Sequence, residues 1–476
     1  MRRLLFVIIF LILQTSLLTL YLNAQQRGMG LIIDDDIEQK IPKKQRLLTR
    51  SYTSLPRSWS LKEYCPATED QGIYQTCVGW ATAYTARTIA EAVNNGWKNT
   101  SVITNEAFAP LYVYGSIKYA DTKNCNMGTN LESAVKLMKN TGVVKKRSFD
   151  VKCAEYVSPK YQAEAAQYKI DDYFLLFGPN HTQQDAVNTT KKAIAENHPV
   201  VIAFKTWDSF CELGFDCWNG VADKEGGYHA MCVVGYDDDK YGGAFLLMNS
   251  WGNWWGRKGF AWVKYQDYSK HTHDALEIYV KAGSTNPDVN PSPKQEVVEK
   301  NKFEGSVSLK LSTGATLTST LGTINGVKRY RVMESLTSGT RYRIYLGNKQ
   351  PGYVYVISSD LNNNAAVNFP VDNHTSAAMT YSNNDFALPG ETSWLEMDDT
   401  KGTDYLCVLY SKSALNTNSL LTQLKNGNGT FYERVQTALK KQLCGQSDIS
   451  YKTQTMKFSA TSVGTVVPVF VEITHK

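Results

Sequence analysis

The chain has 476 residues, 42% of them hydrophobic and 20% charged, with a formal net charge of +6. That length exceeds one ordinary core and points to two folded domains, or at most three. The positive charge is spread along the chain, with no dense basic run beyond Lys43-Lys44-Gln45-Arg46 and Lys145-Lys146-Arg147, so no nucleic acid partner is implied.

Met1-Arg2-Arg3 precedes an apolar run from Leu4 to Leu22, closed by Asn23-Ala24-Gln25. This reads as a signal peptide over residues 1–24, cleaved after Ala24. An uncleaved anchor is the alternative reading. Gln14, Thr15, Ser16 and Thr19 interrupt the run and no basic cluster follows it, which favours cleavage. The mature protein is expected to be secreted, periplasmic or held at the cell envelope. Residues 25–50 are polar and charged and read as an extended lead-in or short pro-segment.

There are nine cysteines. In an exported chain most should be bridged, and an odd count leaves at least one thiol, for which Cys77 is the candidate. Cys407 is expected to pair with Cys444, Cys211 with Cys217, and Cys125 with Cys153. Cys65 has no assigned partner, and Cys232 reads as a buried, inert thiol.

From Ser51 the sequence is globular. Helices are expected from Cys77 to about Asn95, from Thr129 to Asn140, and from Thr189 to Glu196. Pro199–Phe204, Ala230–Tyr236 and Ala244–Met248 are strand-like. Asp237-Asp238-Asp239-Lys240-Tyr241-Gly242-Gly243 is a turn by composition. A hairpin centred near Asp239 puts His229 opposite Asn249, where facing Cβ atoms sit about 5 Å apart. Residues 283–302 hold three prolines among polar groups and read as a linker. Strands are expected at Ser306–Leu311, Tyr330–Val332, Arg341–Leu346, Tyr353–Ile357, Tyr405–Tyr410 and Val466–Ile473. With a helix near Tyr432–Leu443, they suggest a β-sandwich over 303–476.

The chemistry gathers at two stretches, Asp70 to Ala81 and Gly227 to Gly256. A thiol attacks carbonyls as thiolate, and a helix start and an imidazolium both favour the anion. Cys77 has the first, and His229 would supply the second and the proton for the leaving amine. Asn249 would orient the ring, with Trp251 covering that contact. The Cys77 amide and the Gln71 side chain would serve a tetrahedral oxyanion.

Gln71-Gly72 to Cys77, Tyr228-His229-Ala230, and the run Asn249-Ser250-Trp251-Gly252 through Trp255-Gly256 to Phe260 resemble the papain family of cysteine peptidases. The resemblance covers about residues 51–282. It implies an α+β, two-lobed domain with the site in the cleft, residues 77–142 fitting the helical lobe and 199–282 the β-barrel-like lobe. It implies catalytic Cys77, His229, Asn249 and Gln71, substrate contacts at Met127, Gly128, Tyr228, Ala230 and Trp251, peptide or protein substrates, and no cofactor or metal. Departures from the family pattern are Tyr74 and Val78 beside the nucleophile, Met127 before Gly128, and only a short stretch where a long inhibitory pro-region is usual. Trp207–Asp223 resembles an insertion at the cleft rim. The region from about Phe303 resembles a bacterial β-rich domain attached to secreted or envelope enzymes, a possible contact for an envelope or surface partner. Oligomeric state is not legible.

The competing reading is a non-catalytic peptide-binding or adhesion protein on the same scaffold. A Cys–His acyltransferase fits less well, since such sites commonly use an acidic third member where this chain has Asn249. The remaining histidines show no metal-like spacing, and His271 and His273 are expected at the surface. Asp237-Asp238-Asp239 fails as a calcium loop, because Tyr241 and Met248 stand where carboxylates are needed.

Overall fold

The computed structural model describes residues 28–281, 300–360, 364–372 and 374–476. The leader expected over 1–24 and nearly all of the linker expected over 283–302 lie outside these residues. Among them, no helix is long and apolar enough to cross a membrane.

The helical lobe is built on a continuous helical run from Cys77 to Asn95, widened to π geometry over Trp80–Arg87 and ended by Gly96 at φ 67°. Its small residues let neighbours approach closely. A Cβ at Gly79 would stand 2.2 Å from the carbonyl oxygen of Pro110, the first residue of the helix Pro110–Ile117. The helix Leu131–Asn140 buries Leu131, Ala134, Val135 and Met138, one face at helical spacing, and Asn130 caps it by accepting from the Ser133 amide.

The β lobe is a seven-stranded antiparallel sheet. Its strands are β1 (Ser58–Ser60), β2 (Asp172–Phe177), β3 (Val200–Trp207), β4 (Glu225–Asp237), β5 (Ala244–Met248), β6 (Phe260–Lys264) and β7 (Thr272–Tyr279). They are ordered β2-β7-β3-β4-β5-β6, with β1 paired to the end of β4. The third expected helix starts earlier than its composition suggested, spanning Gln183–Ala195, because Thr182 caps the Asp185 amide.

The C-terminal part is a sandwich of two sheets. One runs Ala365–Phe369, Gly352–Ser359, Gly402–Ser411, Val466–His475, Val327–Val332, Ser319–Ile324, and the other Asn384–Leu388, Arg341–Asn348, Asn301–Leu311, Lys457–Ser462, Ile449–Tyr451. Alternation along Gly402–Ser411 explains the layering. Leu406 and Val408 face the second sheet, while Cys407 and Leu409 face two helices, Thr417–Asn426 and Phe431–Leu439, on the outer side. The helix Thr417–Asn426 was not anticipated.

This layering corrects one expected disulfide. Cys407 lies under the outer helices and Cys444 in the inter-sheet core, so both remain thiols. Cys217 also remains a thiol, directed at the Trp218 carbonyl, so no Cys211–Cys217 bridge forms. Cys125 and Cys153 are joined.

The lead-in is folded against both halves of the molecule. Lys43 bridges Leu175 of β2 on one side and Thr375 of the sandwich on the other. Beside it Glu277 of β7, fully buried, accepts from Lys44 Nζ at 2.7 and 2.8 Å, Thr380 Oγ1 at 2.9 Å and Tyr381 OH at 2.5 Å. His198 Nδ1 lies 2.8 Å from the same carboxylate. Burial pushes the Glu277 carboxyl up, but Lys44 and His198 overturn this and hold it well below the usual range. Burial pulls Lys44 down to about 8 against the pull of that carboxylate.

Candidate active site

Cys77 opens the long helical run, and β4 brings His229 to it. The amide of Ala230, the next residue along β4, donates to Cys77 Sγ at 3.4 Å. His229 Nε2 donates to Asn249 Oδ1 at 2.8 Å, and that oxygen also accepts from the Ser250 amide at 2.7 Å. The Trp251 ring stacks on the His229 ring, centroids 4.3 Å apart at 22°. The imidazole is thus held on one edge and one face, and both residues are buried.

The hairpin differs from expectation in register. Asp237 faces Ala244 and Tyr236 faces Phe245, but a bulge at Val234 shifts the pairing to Val233 with Leu247 and Cys232 with Met248. Continued along the strands, that register places Trp251 opposite His229 and leaves Asn249 on the diagonal. The turn, centred between Lys240 and Tyr241 rather than near Asp239, and the bulge together set this register, which brings Trp251 onto the His229 ring.

Gln71 is held by three partners at its side-chain amide. Its Oε1 accepts from Ser250 Oγ at 2.6 Å, and its Nε2 donates to Tyr74 O at 2.8 Å. The same Nε2 donates to the carbonyl of Gly28 at 2.7 Å. That contact reveals what sequence reasoning missed: residues 28–32 of the lead-in run through the cleft. The Leu31 amide donates to Tyr228 O at 3.3 Å. Thr129 N donates to Gly30 O, and Ile32 N to Thr129 O, each at 2.9 Å. Met29 fills the space beside Gly226 and Gly227, its sulfur accepting from Thr206 Oγ1 at 3.1 Å and from the Gly227 amide at 3.0 Å. His229 Nδ1 lies 3.4 Å from Met29 O. Gly28-Met29-Gly30 was the available signal, since two glycines flank the one bulky side chain. A Cβ at Gly28 would stand 1.8 Å from Tyr74 O, and one at Gly128 would stand 2.3 Å from Gly30 O.

Beneath this segment Cys77 is fully buried, and burial pushes its thiol up to about 12 against the opposing Ala230 amide. Met127 is exposed, and its carbonyl accepts from Tyr114 OH at 2.8 Å. Gly128 and Tyr228 line the segment's backbone, while Ala230 faces the sulfur. Trp254 is partly exposed, and Trp255 is buried with its Nε1 donating to Phe210 O. The Trp207–Asp223 stretch packs Phe210 and Trp218 inward. His271 and His273, expected at the surface, are not there. His271 is buried and accepts from Trp207 Nε1 at 3.1 Å, and His273 faces acidic residues. His273 is the extra residue at a register irregularity of β7, between Thr272 paired with Phe204 and Asp274 paired with Ala203, which composition alone could not indicate.

Residues 67–279 match the family model described as papain family cysteine protease. An uncharacterized peptidase C1-like protein of Acanthamoeba polyphaga mimivirus is 25% identical over 231 residues, 46% of this chain and 71% of that one. A cysteine protease of Blomia tropicalis is 27% identical over 225 residues, 46% of this chain and 63% of that one. A cathepsin B-like cysteine proteinase of Haemonchus contortus is 28% identical over 109 residues, 23% of this chain and 29% of its own length. Among solved structures, xylellain, a cysteine protease from Xylella fastidiosa, aligns with TM-score 0.44 at 21% identity, covering 54% of this chain and 97% of that one. By the family-model match, the chain carries over residues 67–279 a domain that belongs to the papain family of cysteine proteases.

Proposed function

We propose that the protein is an exported peptidase that cleaves peptide bonds through a thioester acyl-enzyme at Cys77 and is held latent by residues 28–32. In the opened cleft the Cys77 thiolate attacks the scissile carbonyl carbon. The resulting oxyanion is met by Gln71 Nε2 and the Cys77 amide. The His229 imidazolium gives its proton to the departing amine, and the thioester forms as the C–N bond breaks. Water, losing a proton to His229, then attacks the thioester and frees the carboxylate and the thiol. Asn249 and Trp251 keep the ring in the plane that both transfers require.

One observation carries this reading. The amide of Gln71 already holds a peptide carbonyl, that of Gly28, at 2.7 Å, and the next carbonyl along, Met29 O, lies 3.4 Å from His229 Nδ1. The cleft therefore accepts extended peptide backbone, and its own N-terminal segment competes for the place. The apolar leader supports export, and the sandwich domain supplies a second surface for an envelope or substrate partner. Hydrolysis of a denatured protein substrate by the N-terminally processed chain, abolished by Cys77→Ala, is the expected result. Hydrolysis unchanged in Cys77→Ala would overturn the mechanism. Peptide binding with no turnover by the wild type would favour a binding protein on the same scaffold.

A further inference from the structure

Away from Cys77, the helix Asp35–Glu38 sets acidic side chains against the start of β7. Glu38 is 5% exposed, yet neither carboxylate oxygen accepts a hydrogen bond among the described residues. Facing it is Asp274, 1% exposed. Both turn to one imidazole nitrogen: His273 Nδ1 lies 3.0 Å from Asp274 Oδ2 and 3.4 Å from Glu38 Oε2. His273 Nε2 lies 3.6 Å from Asp35 Oδ1. Three carboxylates thus share a single imidazole, two of them out of water. A buried carboxylate without donors is costly unless a cation or a proton meets it.

Donor atoms of Asp35, Glu38 and His273 lie within 4.8 Å of one another. Two ligand bonds of about 2 Å span about 4 Å, so an inward shift of under about 1 Å by the exposed Asp35 side chain lets one ion reach all three. Asp35, Glu38 and Asp274 also line a cavity of about 690 Å³ that opens between the lead-in and the β lobe, which gives an ion a way in. Asp274 at His273 Nδ1 repeats the carboxylate–imidazole pairing that orients metal-bound histidines, and leaves Nε2, the nitrogen facing Asp35, to the ion.

We propose that Asp35, Glu38 and His273 bind one divalent transition cation, with Asp274 as a positioning residue. An imidazole nitrogen in the donor set favours a cation of the zinc or manganese class over calcium or magnesium, which take oxygen ligands. The ligands come from two parts of the chain, so the ion joins the N-terminal segment to the catalytic domain.

The test uses the full chain as Cys77→Ala, which keeps it unprocessed and removes the active-site thiol as a competing ligand. Stripped with a chelator and titrated calorimetrically with Zn²⁺, it is expected to bind one ion per chain. Affinity for Ca²⁺ should be at least tenfold weaker. Adding Glu38→Gln or Asp35→Asn should weaken Zn²⁺ binding tenfold or more with the far-UV spectrum unchanged. Asp35 is exposed, so Asp35→Asn keeps the test decisive if the buried substitution unfolds the chain. Absence of stoichiometric Zn²⁺ binding, tighter binding of Ca²⁺, or binding that survives Asp35→Asn would overturn the proposal.

Discussion

The side-chain amide of Gln71 donates to the carbonyl of Gly28 across 2.7 Å, so the chain's own backbone occupies the donor proposed above for the oxyanion. In the processed enzyme, Gln71→Ala is expected to lower kcat by about 10²–10³ with KM nearly unchanged. Steady-state kinetics on one peptide substrate would check it. A change confined to KM would place Gln71 in ground-state binding instead.

Gly28 and Gly30 let the segment lie this close. Gly30 has φ +75°, and a Cβ there would meet the Gln75 backbone at 2.4 Å. Left-handed strain alone costs about 1–2 kcal/mol, enough for about a tenfold shift toward an open cleft. Gly30→Ala and Gly28→Val are each expected to speed iodoacetamide labelling of Cys77 in the unprocessed chain by at least about that factor. Labelling rates read by mass spectrometry decide the matter.

The thiol beneath the segment is raised to about 12 from 9.0, chiefly by burial. An acid raised in the closed state keeps its proton there, so closure is favoured at low pH and weakens as pH rises above the pKa of the thiol in the open cleft. Alkylation of the unprocessed chain should therefore climb about tenfold per pH unit through the neutral range. After removal of residues 25–40 the thiolate–imidazolium pair should form, and the rate should stay high into mild acid. Identical profiles for the two forms would refute the latency reading.

Glu277 ties three parts of the chain through Lys44, His198 and Tyr381. Glu277→Gln leaves Lys44 buried without its counter-charge, at an expected cost of about 3–5 kcal/mol. The carboxyl is depressed in the folded protein, so its contribution is present above its ordinary 4.5 and is lost as pH falls below it. Urea unfolding midpoints over that range should drop for the wild type and stay flatter for the variant.

Much of this was legible from residue order. Glycine, the Cys77 helix start and the Asn249 motif are local signals, and the structure gathers Cys77, His229, Asn249 and Gln71 in one cleft. The bulge at Val234 was not legible, because β4 is buried without interruption from His229 to Tyr236 and has no hydrophobic alternation for an extra residue to break. The cleft segment was hidden for a different reason. Residues 28–32 dock through backbone hydrogen bonds, and the glycines at 28 and 30 permit a close approach without indicating which part of the chain is approached. The disulfide expected between Cys407 and Cys444 failed because counting cysteines ignores which face of a sheet each one occupies.

Lys43 lies between Leu175 and Thr375, so a single stretch of chain completes the edges of both halves. A nick anywhere between residues 281 and 300 would therefore cut the polypeptide without shedding the sandwich, and the two fragments should travel together through gel filtration. Either half produced alone would lack this shared seam and would expose an unzipped margin, making the two halves partners in folding rather than independently transferable modules.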